Sequence, residues 1–214
     1  MASRTYGQYC PVAHALDEIG DRWVLLILRD LSFGPQRFTD LRESLVGLAP
    51  NLLTERLRSL EDTGLVSREE LPAPAARTVY VLSESGRQVI PVLSALARFG
   101  ARRLPVPSAK TTVKPRAAMI AAIIAFHRPD AVVDPDATYR FVLDGQAFDV
   151  EAATAKIRRA NNDVTPSVTL TAAPRVLLAI RRGDKSLNDC TNSGEVGVTG
   201  TKSAIRCLRA AFGL

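Results

Sequence analysis

Residues 49–64 constrain the fold more than any other stretch of this chain, because their apolar side chains recur at the spacing of one helix face. Leu53, Leu57 and Leu60 are separated by four and then three positions, which places them on a single stripe of an α-helix. Pro50 suits the first turn of such a helix, and a glycine follows its last turn. The pattern predicts an amphipathic helix with one buried face.

The opposite face of this predicted helix carries polar side chains that fit a nucleic-acid partner. Asn51, Thr54, Glu55 and Arg58 are short or forked groups of the kinds that reach base edges and phosphates. A packed surface helix would show the same pattern. The neighbouring segments therefore decide between the two interpretations.

Shorter helices are predicted before this segment. Apolar periodicity places them at residues 10–19, 22–31 and 37–45, with a Gly-Pro turn before the last of them. A short helix, a turn and a longer helix form the arrangement of a helix-turn-helix.

A β-hairpin is predicted directly after the segment. Two β-rich runs, residues 65–71 and 77–82, flank a loop that contains two prolines. A hairpin in this position corresponds to the wing of a winged helix. It would offer Arg68 and Arg77 to phosphates or to the minor groove.

Ser83 is expected to cap a long helix that runs to Arg103. Its predicted apolar face consists of Val89, Val92, Leu93, Leu96 and Phe99. A helix this long has more apolar surface than a small domain can cover. We therefore expect part of it to pair with a second copy of the chain.

Several of these segments resemble, in order and with matching gaps, the signature of the HxlR family of bacterial winged-helix regulators. The resembling stretches are Cys10-Pro11-Val12, residues 21–31, 37–41, 52–57, 60–61, 64–66 and 80–83, and Gly86. The resemblance covers about residues 8–103 and implies a DNA-binding transcription regulator. Ala49 departs from the family pattern, which often has Ser there, and the departure removes an N-cap side chain.

A homodimer of this kind would place one reading helix per subunit in the major groove of double-stranded DNA and one wing near the adjacent minor groove. Two-fold symmetry then predicts an inverted-repeat operator. The residues expected to contact DNA are Arg37, Asn51, Thr54, Glu55, Arg56, Arg58, Arg68 and Arg77. Cys10 is either a redox or electrophile sensor, a role that the resemblance implies, or a small packed core residue.

Pro105 and Pro107 predict a stiff spacer and a domain boundary. We expect one domain over residues 1–104, a linker over 105–111 and a second domain over 112–214. The second domain is predicted to begin with an apolar helix at residues 116–127. Its other elements are a strand hairpin around Asp144-Gly145, a segment at 152–159 that is either strand or helix, strands at 167–171 and 195–198, and helices at 174–182 and 201–212.

This order of elements, a helix followed by a meander of strands, a helix, a strand and a terminal helix, resembles the sterol carrier protein type 2 fold. The resembling residues are 139–141, 144–145, 168–171, 176–180, 183–184 and 194–200. The fold class is therefore α+β, with a winged helix-turn-helix followed by a sheet-and-helix domain.

The sterol carrier family binds lipids or other apolar molecules between its sheet and its helices, which implies an apolar effector here. The residues expected to line such a pocket are Ile120, Ile124, Phe126, Phe141, Val150, Leu170, Leu177, Leu178, Leu208 and Phe212. A domain of this size needs a core of that size, so these residues either line a cavity or fill it.

Composition limits the other functions. The net charge of +6 fits a nucleic-acid partner, but the first 104 residues hold 13 arginines against 12 acidic residues. Three cysteines without a CxxC pair and two histidines predict neither a disulfide framework nor a metal site. No catalytic triad or phosphate-binding loop appears, so we expect no enzyme activity and no cofactor.

The N-terminus lacks the pattern of a signal peptide. The apolar run 117–126 is far shorter than the roughly 20 residues that span a bilayer. We therefore expect a cytoplasmic protein without membrane insertion. The alternative function is a carrier of lipids or other apolar small molecules, whose winged helix serves as a protein-interaction module.

Overall fold

A computed structural model describes residues 5–71, 77–101, 103, 105, 119 and 126–214. The chain divides into two compact units, Met1–Leu93 and Ser94–Leu214. Among the described residues, no helix is long and apolar enough to cross a membrane.

The first unit is a group of helices followed by a hairpin. Its elements are α1 (Pro11–Ile19), α2 (Val24–Leu31), α3 (Phe38–Ser44), α4 (Pro50–Asp62), β1 (Val66–Leu71), β2 (Arg77–Leu82) and α5 (Glu84–Arg87). The leucine stripe predicted from the sequence is confirmed, because Leu53, Leu57 and Leu60 are at most 2% exposed. They share one core with Ile27 and Leu41, which come from α2 and α3.

The hairpin is joined to the helices by backbone hydrogen bonds. Strands β1 and β2 pair antiparallel, and the predicted loop over residues 72–76 lies outside the described residues. Gln36, just before α3, forms a β-bridge with Tyr80 of β2, with N–O distances of 3.0 and 2.7 Å. The turn before the helix-turn-helix and the hairpin therefore share one local sheet.

The single helix predicted from Ser83 to Arg103 is wrong in one respect: the chain forms two helices there. α5 ends at Arg87, and α6 (Ile90–Ala101) begins three residues later. Pro91 has no N–H to continue the ladder, and its ring clashes with the carbonyl four residues back, so it fits only the first turn of a new helix. Ser83 caps α5 as predicted, since its Oγ accepts from the Gly86 N–H at 2.9 Å.

The second unit contains a five-stranded sheet in its described residues. Its elements are β3 (Thr138–Leu143), β4 (Gln146–Glu151), β5 (Ile157–Arg159), β6 (Val168–Ala172), α7 (Pro174–Arg182), α8 (Leu187–Asn192), β7 (Val196–Gly200) and α9 (Lys202–Phe212). The strand order is β5-β4-β3-β6-β7. The hairpin at Asp144-Gly145 is confirmed, with φ of +45° and +78° as a tight two-residue turn requires.

Two predictions for this unit need correction. The strands do not form a simple meander, because β6 returns to pair parallel with β3. α8, which Ser186 caps through a hydrogen bond to the Asp189 N–H at 3.0 Å, was not predicted. The ambiguous segment 152–159 is a turn followed by the short strand β5.

A buried ion pair holds the crossover that allows this topology. Asp149 is fully buried, and Arg140 donates to both its oxygens at 2.7 and 2.9 Å. The same guanidinium donates to the backbone carbonyls of Asn161 and Val164 at 2.8 and 3.0 Å. The segment that leads from β5 to β6 is thus attached to the centre of the sheet.

We predict that Asp149→Ala lowers the free energy of unfolding of the second unit by about 3–5 kcal/mol, because it leaves the Arg140 charge without its partner. Urea unfolding followed by far-UV circular dichroism measures the change. Fluorescence of Trp23, the sole tryptophan, reports separately on the first unit. Glu151→Ala removes the more exposed pair with Arg158 and should cost less than about 1 kcal/mol. Equal effects of the two substitutions would contradict this role of the buried pair.

Candidate nucleic-acid interface

The exposed face of α4 is polar over its whole length. Asn51, Thr54, Glu55 and Arg58 are exposed, whereas the leucines of the opposite face are buried. The Thr54 hydroxyl donates to the Pro50 carbonyl at 3.1 Å. Its methyl group and the oxygen lone pairs are what it presents to a partner.

Arg58 and Arg56 lie two residues apart and have different surroundings. Arg58 is exposed, and within the part of the chain that the structure describes it forms no ion pair. Arg56 is half-buried, and it forms an ion pair with Asp21 at 2.8 Å and one with Glu55 at 3.3 Å. Arg56 therefore ties α4 to the segment before α2, and Arg58 is free to meet a partner.

Arg68 on β1 is held by groups from two elements. It forms a salt bridge with Glu61 of α4 at 2.7 Å, and its guanidinium lies 5.3 Å from the ring centroid of Tyr80. The hydrogen bond to Glu61 raises the pKa of Arg68, and Tyr80 adds to that effect. The sequence did not predict Glu61 or Tyr80 as partners of Arg68. Pairing of a basic and an aromatic residue on neighbouring strands could have indicated Tyr80.

Arg37 forms part of the start of α3. Its guanidinium donates to both carboxylate oxygens of Asp40, at 3.0 and 2.9 Å, and its backbone N–H donates to the same group at 3.0 Å. The hydrogen bond with Asp40 also raises the pKa of Arg37. Arg77, at the start of β2, is exposed and has no ion-pair partner among the described residues.

The geometry is therefore a helix-turn-helix whose second helix exposes a polar face, followed by a hairpin that carries two arginines.

Residues 18–107 match the family model of the HxlR-like helix-turn-helix. An HTH-type transcriptional regulator of Methanothermobacter thermautotrophicus is 40% identical over 91 residues, which are 42% of this chain and 70% of that protein. The chain belongs to the HxlR family.

Two further relatives show the same coverage of about half of this chain. The HTH-type transcriptional regulator YvaP of Bacillus subtilis is 34% identical over 93 residues, 43% of this chain and 86% of YvaP. The solved structure of the reduced transcriptional regulator YodB from B. subtilis is 30% identical and covers 47% of this chain and 99% of YodB, with a TM-score of 0.40. The predicted class, a DNA-binding HxlR-type regulator and not an enzyme, is confirmed by the family and its relatives.

Unlike the pattern expected of the family, the HxlR helix-turn-helix of this chain has no side-chain cap on its reading helix. Ala49 has the extended backbone of an N-cap residue, with φ of −65° and ψ of 140°, and α4 has no capping hydrogen bond there. Cys10 occupies the equivalent position before α1, where it is half-buried. Cys190 is buried and Cys207 half-buried. The described residues contain no group of His, Cys, Asp and Glu suited to a metal ion.

The family model ends at residue 107, so the sterol carrier resemblance of residues 112–214 stays a prediction. Of its predicted pocket residues, those on the strands and on α9 are buried together with Leu177. Among them, the ring centroid of Phe212 lies 5.6 Å from that of Phe141. It also lies 6.0 Å from that of Tyr139, which is not one of the predicted residues. Leu178 and Phe126 are half-buried. Ile120 and Ile124 lie outside the described residues.

We predict that Ala49→Ser raises the free energy of unfolding of the first unit by about 1 kcal/mol, because its hydroxyl can accept a backbone N–H in the first turn of α4. Urea unfolding followed by Trp23 fluorescence measures the gain. Ala15→Ser, at an exposed position inside α1, is the control and should lose about 0.5 kcal/mol through helix propensity alone. Losses in both variants would show that the start of α4 cannot accept a cap.

Proposed function

We propose that this HxlR-family protein is a transcription regulator that binds an inverted-repeat operator as a homodimer. Each subunit places α4 in the major groove and the β1–β2 hairpin near the adjacent minor groove. The observation that carries this proposal is the exposed polar face of α4, on which Arg58 forms no ion pair with any described residue, while the opposite face is buried.

The proposed contacts divide into two groups by their partners. Asn51, Thr54, Arg58 and Arg77 are exposed and offer their polar groups directly to bases or phosphates. A second group, Arg37, Glu55, Arg56 and Arg68, is already paired with side chains of the protein. An ion pair fixes the direction of a guanidinium. We therefore propose that Arg37 and Arg68 donate to phosphates through the N–H groups that their ion pairs leave unused.

Exposed apolar side chains support the homodimer. On α6, Val92, Leu96 and Phe99 are 45%, 46% and 60% exposed, at a spacing that forms one stripe. Val12 and Leu16 of α1 are also exposed, at 67% and 43%. Arg103 lies 4.0 Å from the ring centroid of Phe99, but these side chains stay exposed in the single chain. A second copy would remove this apolar surface from water.

The C-terminal part is proposed to sense an effector. The proposal keeps the division of the chain into residues 1–104, 105–111 and 112–214, gives the last of these a separate apolar ligand site as the sterol carrier resemblance implies, and has the regulator act in the cytoplasm. The buried strand and α9 side chains would form the wall of that site. The carrier alternative has no such support from the family, whose named relatives are transcriptional regulators.

We predict that Arg58→Ala weakens operator binding by about 1–3 kcal/mol, roughly 5- to 150-fold, without loss of stability, because the exposed guanidinium forms no ion pair or hydrogen bond with a described residue. Fluorescence anisotropy with the intergenic DNA upstream of the chain's own gene, at fixed salt, measures the affinity.

Two variants serve as controls for Arg58→Ala. Arg206→Ala removes the same charge from an exposed position of α9 and should leave affinity unchanged. Arg56→Ala should lower stability, since it breaks the pair with Asp21. An Arg58→Ala protein that binds as tightly as Arg206→Ala would remove Arg58 from the interface. Absence of binding by the unaltered protein at low salt would overturn the regulator proposal.

We predict that Leu96→Glu converts a dimer into a monomer, because it places a charge in the apolar stripe of α6. Light scattering coupled to size-exclusion chromatography measures the mass. Ser85→Glu adds the same charge to an exposed position of α5 and should leave the dimer intact. A dimer that survives Leu96→Glu would place the interface elsewhere.

A further inference from the structure

The second unit contains a cleft with an excess of arginine that no part of the proposed function uses. Its volume is about 1020 Å³. Its lining consists of Arg98, Ala101, Phe126, His127, Arg128, Pro129, Asp130, Ala131, Arg181, Arg182 and Asp184. Arg182 and Asp184 form an ion pair at 3.2 Å, so the other three arginines face one remaining carboxylate.

Arg181 is fixed in this cleft by contacts on two sides. Its Nη1 donates to the carbonyl of Phe212 at 2.6 Å and to the carbonyl of Gly213. Its guanidinium carbon lies 3.6 Å from the ring centroid of Phe126. The Nε is buried without a hydrogen-bond partner, and in the part of the chain that the structure describes Nη2 has none either. The Nε–Nη2 edge, which is the edge that binds a carboxylate with two bonds, therefore has no acceptor among the described residues.

Arg128 brings a second guanidinium to the same place. A Cβ built on Gly213 would lie 2.9 Å from Nη1 of Arg181 and 3.1 Å from Cζ of Arg128, so both cations pack around this glycine. Burial, and then the charge of Arg128, lower the pKa of Arg181. Arg128 forms no ion pair with any residue that the structure describes, Asp130 and Asp184 included. Two cations held together, with no ion-pair partner for either among the described residues, favour an anion between them.

The rest of the lining indicates what kind of anion fits. The ring of Phe126, the side chains of Ala101 and Ala131, and Pro129 are apolar, so part of the lining favours a hydrocarbon or aromatic body. A fully hydrated inorganic ion would leave these groups without an apolar contact. We propose that the cleft binds a small organic acid, with its carboxylate on Arg128 and Arg181 and its apolar body against Phe126.

The cleft is lined by other residues than the buried strand and α9 side chains of the proposed apolar site, and only a consequence of acid binding for DNA binding would rest on the proposed function. Binding of the acid needs neither the operator nor the dimer. A titration without DNA therefore fails or succeeds independently of the proposed function.

The test is isothermal titration calorimetry of the full chain with sodium benzoate at constant ionic strength, with benzamide and inorganic phosphate as comparison probes. We expect benzoate to bind one site per chain and benzamide not to bind. Arg128→Gln should weaken benzoate binding at least about tenfold, since it removes a charged partner of the carboxylate. Arg206→Gln makes the same change at an exposed site outside the cleft and should bind benzoate as the unaltered chain does.

Arg128 is the position to alter because its guanidinium is exposed, whereas Arg181 also holds the end of α9. Thermal unfolding of each variant shows that the fold is retained. Absence of benzoate binding, equal binding of benzamide, or equal losses in the two Gln variants would each overturn the proposal. Tighter binding of phosphate than of benzoate would overturn the organic acid as its ligand.

Discussion

The burial of Leu53, Leu57 and Leu60 determines what the first unit can present to a partner. Each of these side chains contributes about 1.5–3 kcal/mol on leaving water, and together they fix the rotation of α4 about its axis. An exposed ion pair contributes less than about 1 kcal/mol. Core packing therefore determines which face of α4 is exposed, and the surface ion pairs form around that orientation.

Three of the arginines proposed to contact DNA form ion pairs with carboxylates of the first unit. Asp40, Asp21 and Glu61 hold Arg37, Arg56 and Arg68 in place, so these groups lose little side-chain freedom when a partner arrives. These ion pairs also weaken the positive electrostatic potential at a distance from the surface. In the proposed homodimer, recognition of DNA would therefore depend on individual contacts and on the presence of two subunits more than on long-range attraction.

The sequence predicted what depends on local pattern. The α4 stripe, the hairpin after it and the turn at Asp144-Gly145 follow from spacing and turn chemistry. Pro91 indicates the break between α5 and α6, but the apolar spacing continues across the break and is typical of a single helix. These features lie within a few residues of the signals that specify them.

The remaining features depend on partners far apart in the chain. Arg56 and Arg58 are the same residue type on one helix, and only the tertiary position of Asp21 separates their roles. The parallel return of β6 beside β3 depends on the bonds of Arg140 to Asp149 and to a distant loop. Neither the contact of Arg56 with Asp21 nor the contacts of Arg140 produce a periodic pattern in the sequence.

The bridge between Gln36 and Tyr80 has a consequence for how this domain can diversify. It joins Tyr80, inside β2, to the turn before α3 through peptide groups alone, so it imposes no side-chain identity at either position. Because Tyr80 and its strand partner Arg68 each lie three residues from the ends Leu71 and Arg77, changes of length between those ends leave the contact of Arg68 with Glu61 unaltered. In the proposed complex with DNA, an insertion between Leu71 and Arg77 would lengthen the hairpin while the packing that orients α4 stays the same.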